Sequence, residues 1–324
     1  MAKVTVTGGS GRPLGEPRSS KVIVTGGSGF IGSHIVDALK DAGHEVTILD
    51  YHCKPHRSDV KYEDVDLLDF ASVLEATKGA EHIYHIAAVS NVNYAYKYPV
   101  YCTDLNVKGT VNVLEAARVH GAKRVYFAST VWVYNGSKEK EPITEDSPFY
   151  LPAAGHIYTS TKIAAEMLFH NYAQLYNVPF TILRYGIPYG PRMREELLIP
   201  IFLKKAFNGQ PLTITGEGEQ YRNFVYVTDM AKAHVMAMSE TAANQVYNLE
   251  GPEKITIRRV AESIQNLLGK DKVKVEFLPA RPGDFGGKVA SSEKAFKELG
   301  WKASTTFEEG LNATTDFFKS KWNV

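Results

Sequence analysis

The chain has little cysteine. Cys53 and Cys102 are the only two in 324 residues. Two thiols make neither a disulfide framework nor a metal-ligand spacing, so a reducing cytoplasm is expected and a metal is not. An excess of one charge is also missing: 37 Lys and Arg stand against 36 Asp and Glu, a formal net charge of +1. Nucleic acids and anionic membranes are recognised by concentrated basic charge, so neither is an expected partner. No apolar run approaches the roughly 20 residues that cross a bilayer. What remains is the composition of an ordinary enzyme, 44% hydrophobic. A chain of this length buries a large core in one large domain or two smaller ones.

Against that plain background one stretch stands out, Val22-Ile23-Val24-Thr25-Gly26-Gly27-Ser28-Gly29-Phe30-Ile31-Gly32. Apolar and β-branched residues run into glycines spaced three apart, and an amphipathic segment follows to Ala42. This is strand, tight turn and helix start. Such a turn aims backbone N–H groups and the positive end of a helix dipole at a phosphate. Gly26 permits the turn, Gly29 lets a pyrophosphate approach, and Gly32 lets the helix lie close. A second strand, Glu45 to Leu49, ends at Asp50. A carboxylate about twenty residues past the turn accepts hydrogen bonds from an adenosine ribose. The pattern predicts a dinucleotide site with NAD as cofactor, since Asp50 repels a 2′-phosphate. His52, Lys54, His56 and Arg57 follow closely, and a phosphate held by one of them would favour NADP instead.

The phrase has a second copy at Val4-Thr5-Val6-Thr7-Gly8-Gly9-Ser10-Gly11, followed by Arg12-Pro13 and no amphipathic helix. Residues 1–20 are therefore read as an N-terminal extension, dispensable for activity, without the basic and apolar regions of a signal peptide.

Beyond Asp50 strand and helix patterns keep alternating. A short helix spans Asp69 to Thr77, a strand His82 to Ala88, and a helix Asn106 to His120 with Val107, Val111, Leu114 and Ala117 on one stripe. Arg124 to Ser129 and Val178 to Arg184 read as strands, and Ser160 to Tyr176 as a helix. The alternation predicts an α/β fold: a Rossmann-type doubly wound parallel sheet, with ligands beyond the carboxyl ends of its strands. The expected division is a cofactor domain over 21–185 and a smaller α/β substrate lobe over 186–324. That boundary is discontinuous, with part of 225–250 returning to the sheet.

The chemistry is expected on Tyr158-Thr159-Ser160-Thr161-Lys162. Tyrosine and lysine four apart share a helix face. A nearby ammonium stabilises phenolate and lowers the tyrosine pKa towards that of a working base. Ser129 and Thr130 end a strand, where a hydroxyl can help hold a substrate oxygen.

At this point the chain resembles the extended short-chain dehydrogenase/reductase family, in particular its nucleotide-sugar epimerase and dehydratase branch. The resemblance runs from about Lys21 to the C-terminus. It covers Thr25 to Gly32, Asp66-Leu67, His85-Ile86-Ala87-Ala88, Asn106-Val107-Lys108-Gly109-Thr110, Tyr158 and Lys162, Tyr189-Gly190-Pro191, Arg222 to Val227 and Arg281-Pro282-Gly283-Asp284. It implies a cofactor site of Gly26, Gly29, Phe30, Ile31, Asp50, Asp66, Leu67, Ala87, Ala88, Asn106, Ser129, Tyr158, Lys162 and Tyr185. Within that site Asp66 and Leu67 would meet adenine, Ala87 the ribose, Lys162 the nicotinamide ribose and Tyr185 the nicotinamide. Thr130, Arg222, Arg281 and Asp284 would bind substrate, the arginines gripping a diphosphate with their guanidinium forks. A homodimer through the helices Asn106–His120 and Ser160–Tyr176 is implied too.

Within the resembled branch, dehydratases follow the strand-end hydroxyl with Asp-Glu and decarboxylases place a glutamate there. This chain has Val131-Trp132, which cannot move protons. That favours an epimerase that oxidises a sugar carbinol transiently, most simply on a UDP-sugar at carbon 4, with the cofactor regenerated at each turnover. Ile187 and Leu197 stand where the branch often has asparagines, which leaves a deoxy- or keto-sugar, or another nucleotide, open. A ketoreductase or dehydrogenase with net cofactor turnover stays open as well, and so does an idle NAD(H)-sensing protein.

Overall fold

The computed structural model describes residues 19–269, 271–279 and 289–324. Successive strand side chains point to opposite faces, and the first strand shows the consequence. Val22 and Val24 enter one apolar cluster with Ile35, Leu39, Tyr84 and Tyr126, whereas Ile23 enters another with Ile83, Leu114, Phe127 and Phe169. A strand apolar on both faces has to be covered on both, the condition under which all-parallel sheets form.

The first six strands are β1 (Lys21–Thr25), β2 (Glu45–Asp50), β3 (Lys61–Asp64), β4 (His82–His85), β5 (Arg124–Thr130) and β6 (Phe180–Tyr185). Gln245–Leu249 completes a seven-stranded sheet in the order Gln245–Leu249, β6, β5, β4, β1, β2, β3. Every neighbouring pair is parallel. The chain runs outward from β1 to β3, then restarts at β4 on the other side of β1. A crevice opens where the direction reverses, at the carboxyl ends of β1 and β4. Helices Phe30–Asp41 and Val227–Met236 pack on one face; Gly109–His120 and Ile157–Tyr176 pack on the other.

Two helices start earlier than their periodicity predicts. The one read from Asn106 begins at Pro99, whose fixed φ suits a first helical turn, and passes through a widened turn at Asp104–Lys108 into Gly109–His120. The one read from Ser160 begins at Ile157, so Tyr158 lies in its first turn. β3, Lys-Tyr-Glu-Asp, gave no apolar signal. It is the outermost strand, paired only with β2, and edge strands carry charge readily.

Past Gly186 a third cluster forms around Tyr189, Ile199, Phe202, Val260, Ile264 and Phe307. Ile187–Tyr189 pairs with Phe224–Tyr226, and Leu212–Thr215 with Val275–Leu278, both in parallel. The second copy of the glycine phrase, Val4 to Gly11, lies outside the described residues. No described helix is long and apolar enough to cross a membrane.

Gly32 marks the tightest contact of the turn. A Cβ on it would stand 2.1 Å from the Gly26 carbonyl oxygen, and backbone on both sides leaves nothing to yield. Gly32→Ala is expected to lower stability by about 2 kcal/mol or more, read from the urea midpoint. An unchanged midpoint would show that the helix lifts off the turn without cost.

Candidate active site

A cavity of about 1010 Å³ opens along the carboxyl ends of the strands. The glycine turn and its neighbours contribute Gly26, Gly29, Phe30, Ile31, Asp50, Asp66, Leu67, Ala87 and Ala88 to its wall. Ser129, Thr130, Tyr158, Lys162, Tyr185 and Arg222 join them from β5, the helix Ile157–Tyr176, β6 and the strand Tyr221–Arg222.

Gly26 takes φ +69°, and a Cβ there would lie 2.8 Å from Ala87 Cα. Only glycine satisfies both the left-handed backbone and that approach. The helix that follows has no side chain capping its first N–H groups. N–H groups at an uncapped helix start suit a phosphate. Asp50 Oδ2 accepts from Ser28 N at 3.0 Å and Oδ1 from Tyr51 N at 3.0 Å. Burial nonetheless pushes its carboxyl above the usual range.

The basic residues after Asp50 turn away from the cavity. His52 pairs with Asp64 at 3.0 Å, His56 with Asp37 at 2.9 Å, and Arg57 with Asp59 at 2.6 Å and with Asp37 at 2.9 Å. Arg192 joins Asp37 at 2.6 Å. Lys54, His56 and Arg57 line a separate cavity with Arg192. His52, His56 and Arg57 are thus engaged by carboxylates other than Asp50, which stays beside the glycine turn.

Tyr158 is 9% exposed and Lys162 3%. The Lys162 ammonium donates to Ala128 O at 2.7 Å and lies 4.6 Å from the Phe127 ring centre and 5.9 Å from that of Tyr158. Burial lowers it to about 7, with Glu166 pulling the other way. Trp132 meets the Tyr158 ring edge-on at 6.2 Å. Here the expectation of a lowered phenol needs correction. Burial pushes the Tyr158 hydroxyl well above its ordinary value, and the positive charge of Arg194 only partly offsets it. Removing a phenolate from water outweighs an ammonium whose proton already serves a carbonyl.

One further assignment changes, that of Asn106, while Ser129 and Tyr185 stay in the wall with their hydroxyls engaged. Asn106 is 2% exposed and absent from the cavity wall. Its Oδ1 accepts from Val89 N at 2.8 Å, and its Nδ2 donates to Val89 O and to Thr161 Oγ1, both at 3.0 Å. It braces the loop after β4 instead of meeting a cofactor. Ser129 lines the cavity, while its hydroxyl donates to Glu166. The Tyr185 hydroxyl donates to His234 Nε2 at 2.6 Å, because His234 Nδ1 is engaged with Met230 O, so only its ring is left for the cavity. Thr130 Oγ1 accepts from Trp132 N at 3.2 Å and keeps a proton to donate. Arg281 and Asp284 lie outside the described residues.

The sequence reading missed Tyr51, Cys53, Arg194 and Glu196, all in the wall. The first two lie one and three residues past Asp50, and that nearness was a usable signal. Arg194 and Glu196 sit in a loop after Gly190-Pro191 with no periodicity to mark them. Ile187 and Leu197 both line the cavity.

The matching sequence family is described as the NAD dependent epimerase/dehydratase family, over residues 22–249. The chain belongs to it. A putative UDP-glucose 4-epimerase of Methanocaldococcus jannaschii is 32% identical over 92% of this chain and 98% of its own length. A UDP-glucuronic acid decarboxylase of Danio rerio is 32% identical over 94% of this chain and 74% of its own. The crystal structure of a Thermus thermophilus UDP-glucose 4-epimerase in complex with NAD superposes with a TM-score of 0.83 at 34% identity, covering 92% of this chain and 99% of that one.

In this NAD-dependent family member, Asp50 faces the cavity while His52, His56 and Arg57 are engaged by other carboxylates and Lys54 lines the separate cavity, so the Asp50 carboxylate is expected to decide at the ribose. Asp50→Ala is expected to bring the Kd values for NAD and NADP together, chiefly by tightening NADP. Calorimetric titration of both cofactors checks this. A parent protein that already binds NADP more tightly would overturn it.

Proposed function

We propose that the protein is a nucleotide-sugar epimerase acting on a UDP-sugar at carbon 4. The reading is carried by one observation: Thr130, Tyr158 and Lys162 share a cavity wall, and of the two residues that follow Thr130, Trp132 lines that wall while Val131 is buried in an apolar cluster, so neither can serve as an acid-base pair would. Oxidation of a carbinol is provided for at these positions, and elimination is not.

The glycine turn fits NAD through its uncapped helix start and the carboxylate of Asp50. Gly26, Gly29, Phe30 and Ile31 would hold the pyrophosphate, Asp50 the adenosine ribose, Asp66 and Leu67 the adenine, and Ala87 and Ala88 the inner ribose side. When bound, the nicotinamide accepts a hydride and later returns it. Tyr158 takes the hydroxyl proton from the sugar carbinol and gives it back to the other epimer. Thr130 donates a hydrogen bond to the same oxygen, and Lys162 holds a ribose hydroxyl while its charge favours the phenolate. Arg222, with Nη1 on Tyr221 O at 2.7 Å, faces the cavity from the strand beside Gly186 and would meet the diphosphate. Arg281 and Asp284 keep the substrate roles that the family resemblance gives them.

A homodimer belongs to the same reading. Val119 is 50% exposed, Met167 60% and Leu175 70%, all on the helices that the family resemblance pairs. A twofold closed interface is the commonest way to cover such faces. Free Cys53 and Cys102 accord with a cytoplasmic location.

Tyr158→Phe keeps the ring's packing and removes the proton carrier. Turnover of UDP-glucose is expected to fall by about 1000-fold, within the range for loss of an acid-base group, while the Kd for NAD stays within threefold. Rates within severalfold of the parent would sink the assignment.

An isotope separates epimerase from reductase. UDP-glucose deuterated at carbon 4 should yield product that retains its deuterium, with no net rise in NADH absorbance. Stoichiometric NADH, or deuterium appearing on free cofactor, would favour the dehydrogenase or ketoreductase reading.

A further inference from the structure

Glu166 lies one helical turn past Lys162, at the spacing that also separates Lys162 from Tyr158, and it is 2% exposed. Its carboxylate is fully engaged. Oε1 accepts from the Ser129 hydroxyl and from Arg184 Nε at 3.0 Å, and Oε2 accepts from Arg184 Nη2 at 2.7 Å. Arg184, one residue before Tyr185, donates onward to the Tyr134 hydroxyl, which donates to Asn248 Oδ1 at 2.9 Å. One buried ion pair thus ties the Tyr158 helix to β5, to β6, to the turn after Thr130 and to the strand Gln245–Leu249.

The groups around the Lys162 ammonium can be taken in turn. His85, on β4, is pushed by burial down to about 3 and is neutral. Cys102, in the helix Pro99–Thr103, has its thiol pushed up by burial. Tyr158 is a protonated phenol by the same cause. β5 offers the Ala128 carbonyl and the Phe127 ring. Glu166 is the one carboxylate acting on Lys162 among the described residues. A buried ammonium needs compensating negative charge, and here it comes from the next turn of the same helix.

We propose that Glu166 is a positioning residue for the reaction: seated by Arg184, it fixes Ser129 next to Thr130 and keeps Lys162 an ammonium beside Tyr158. This rests on the roles proposed above for Tyr158 and Lys162. Removing the Glu166 charge should lower the midpoint at which Lys162 loses its proton. The ammonium is present below that midpoint, so the alkaline decline of activity should begin at lower pH.

The test uses the NAD-loaded protein and Glu166→Gln. The Lys162 side-chain nitrogen is followed by 15N NMR against pH, its signal assigned by its loss in Lys162→Arg. The midpoint is expected to fall by about one unit or more. Correspondingly kcat/KM for UDP-glucose should drop about tenfold at pH 8 but only about twofold at pH 6. Arg184→Lys, which keeps the charge, should leave the midpoint near the parent value. Should E166Q fail to fold with Arg184 unpaired, the neutral double variant E166Q/R184M carries the same expectations. An unmoved Lys162 midpoint overturns the proposal, as does a rate loss equal at all pH values. A moved midpoint in a protein inactive on UDP-sugars would instead fault the reading of the reaction, because the NMR signal does not depend on turnover.

Discussion

The burial of Lys162 constrains much of the architecture around it. An ammonium removed from water is tolerated only where hydrogen bonds and opposite charge replace hydration. Ala128 O supplies the bond. The charge cannot come from a carboxylate in direct contact, which would hold the ammonium in a salt bridge and away from any ligand. It comes from Glu166, whose own oxygens are occupied by Ser129 and Arg184. Lys162 therefore feels negative charge without being captured by it. The arrangement needs β5, β6 and the helix Ile157–Tyr176 in one fixed relation, and the parallel β5–β6 register that sets Ser129 opposite Arg184 provides it.

The same sheet sets the other end of the cavity. Because β4 restarts beside β1, Ala87 comes within reach of the glycine turn, and Gly26 has no room for a side chain. Asp50 reaches the turn from β2 through Ser28 N. Sheet order thus converts three distant stretches of chain into one concave wall. The helix start there has no side-chain cap, and such N–H groups suit a phosphate.

Much of this was legible in the sequence because it depends on local pattern. The strand-glycine-helix phrase, the alternation and the Tyr-x-x-x-Lys spacing each encode a short-range geometry. What was not legible depends on which way a polar side chain turns once the core forms. Asn106, Ser129 and Tyr185 all have the right residue type and neighbourhood for a site, yet each spends its polar atoms on the protein. Their partners, Val89, Glu166 and His234, lie 17, 37 and 49 residues away. His52, His56 and Arg57 were illegible for the same reason, since Asp64, Asp37 and Asp59 engage them only in three dimensions.

The phenol makes the point in energetic form. Sequence spacing puts an ammonium near Tyr158 and argues for a lowered pKa, whereas burial of both groups raises the phenol and lowers the ammonium. Desolvation acts on each group separately and penalises both charged forms. A phenolate–ammonium pair is then worth forming only when further positive charge enters the cavity beside it. Arg194 already acts in that direction on Tyr158, and a bound nicotinamide cation would add to it. On the proposed reading, Tyr158 is therefore a weak base by itself, strengthened by what it acts with. That would confine proton removal to the complex in which a hydride has somewhere to go.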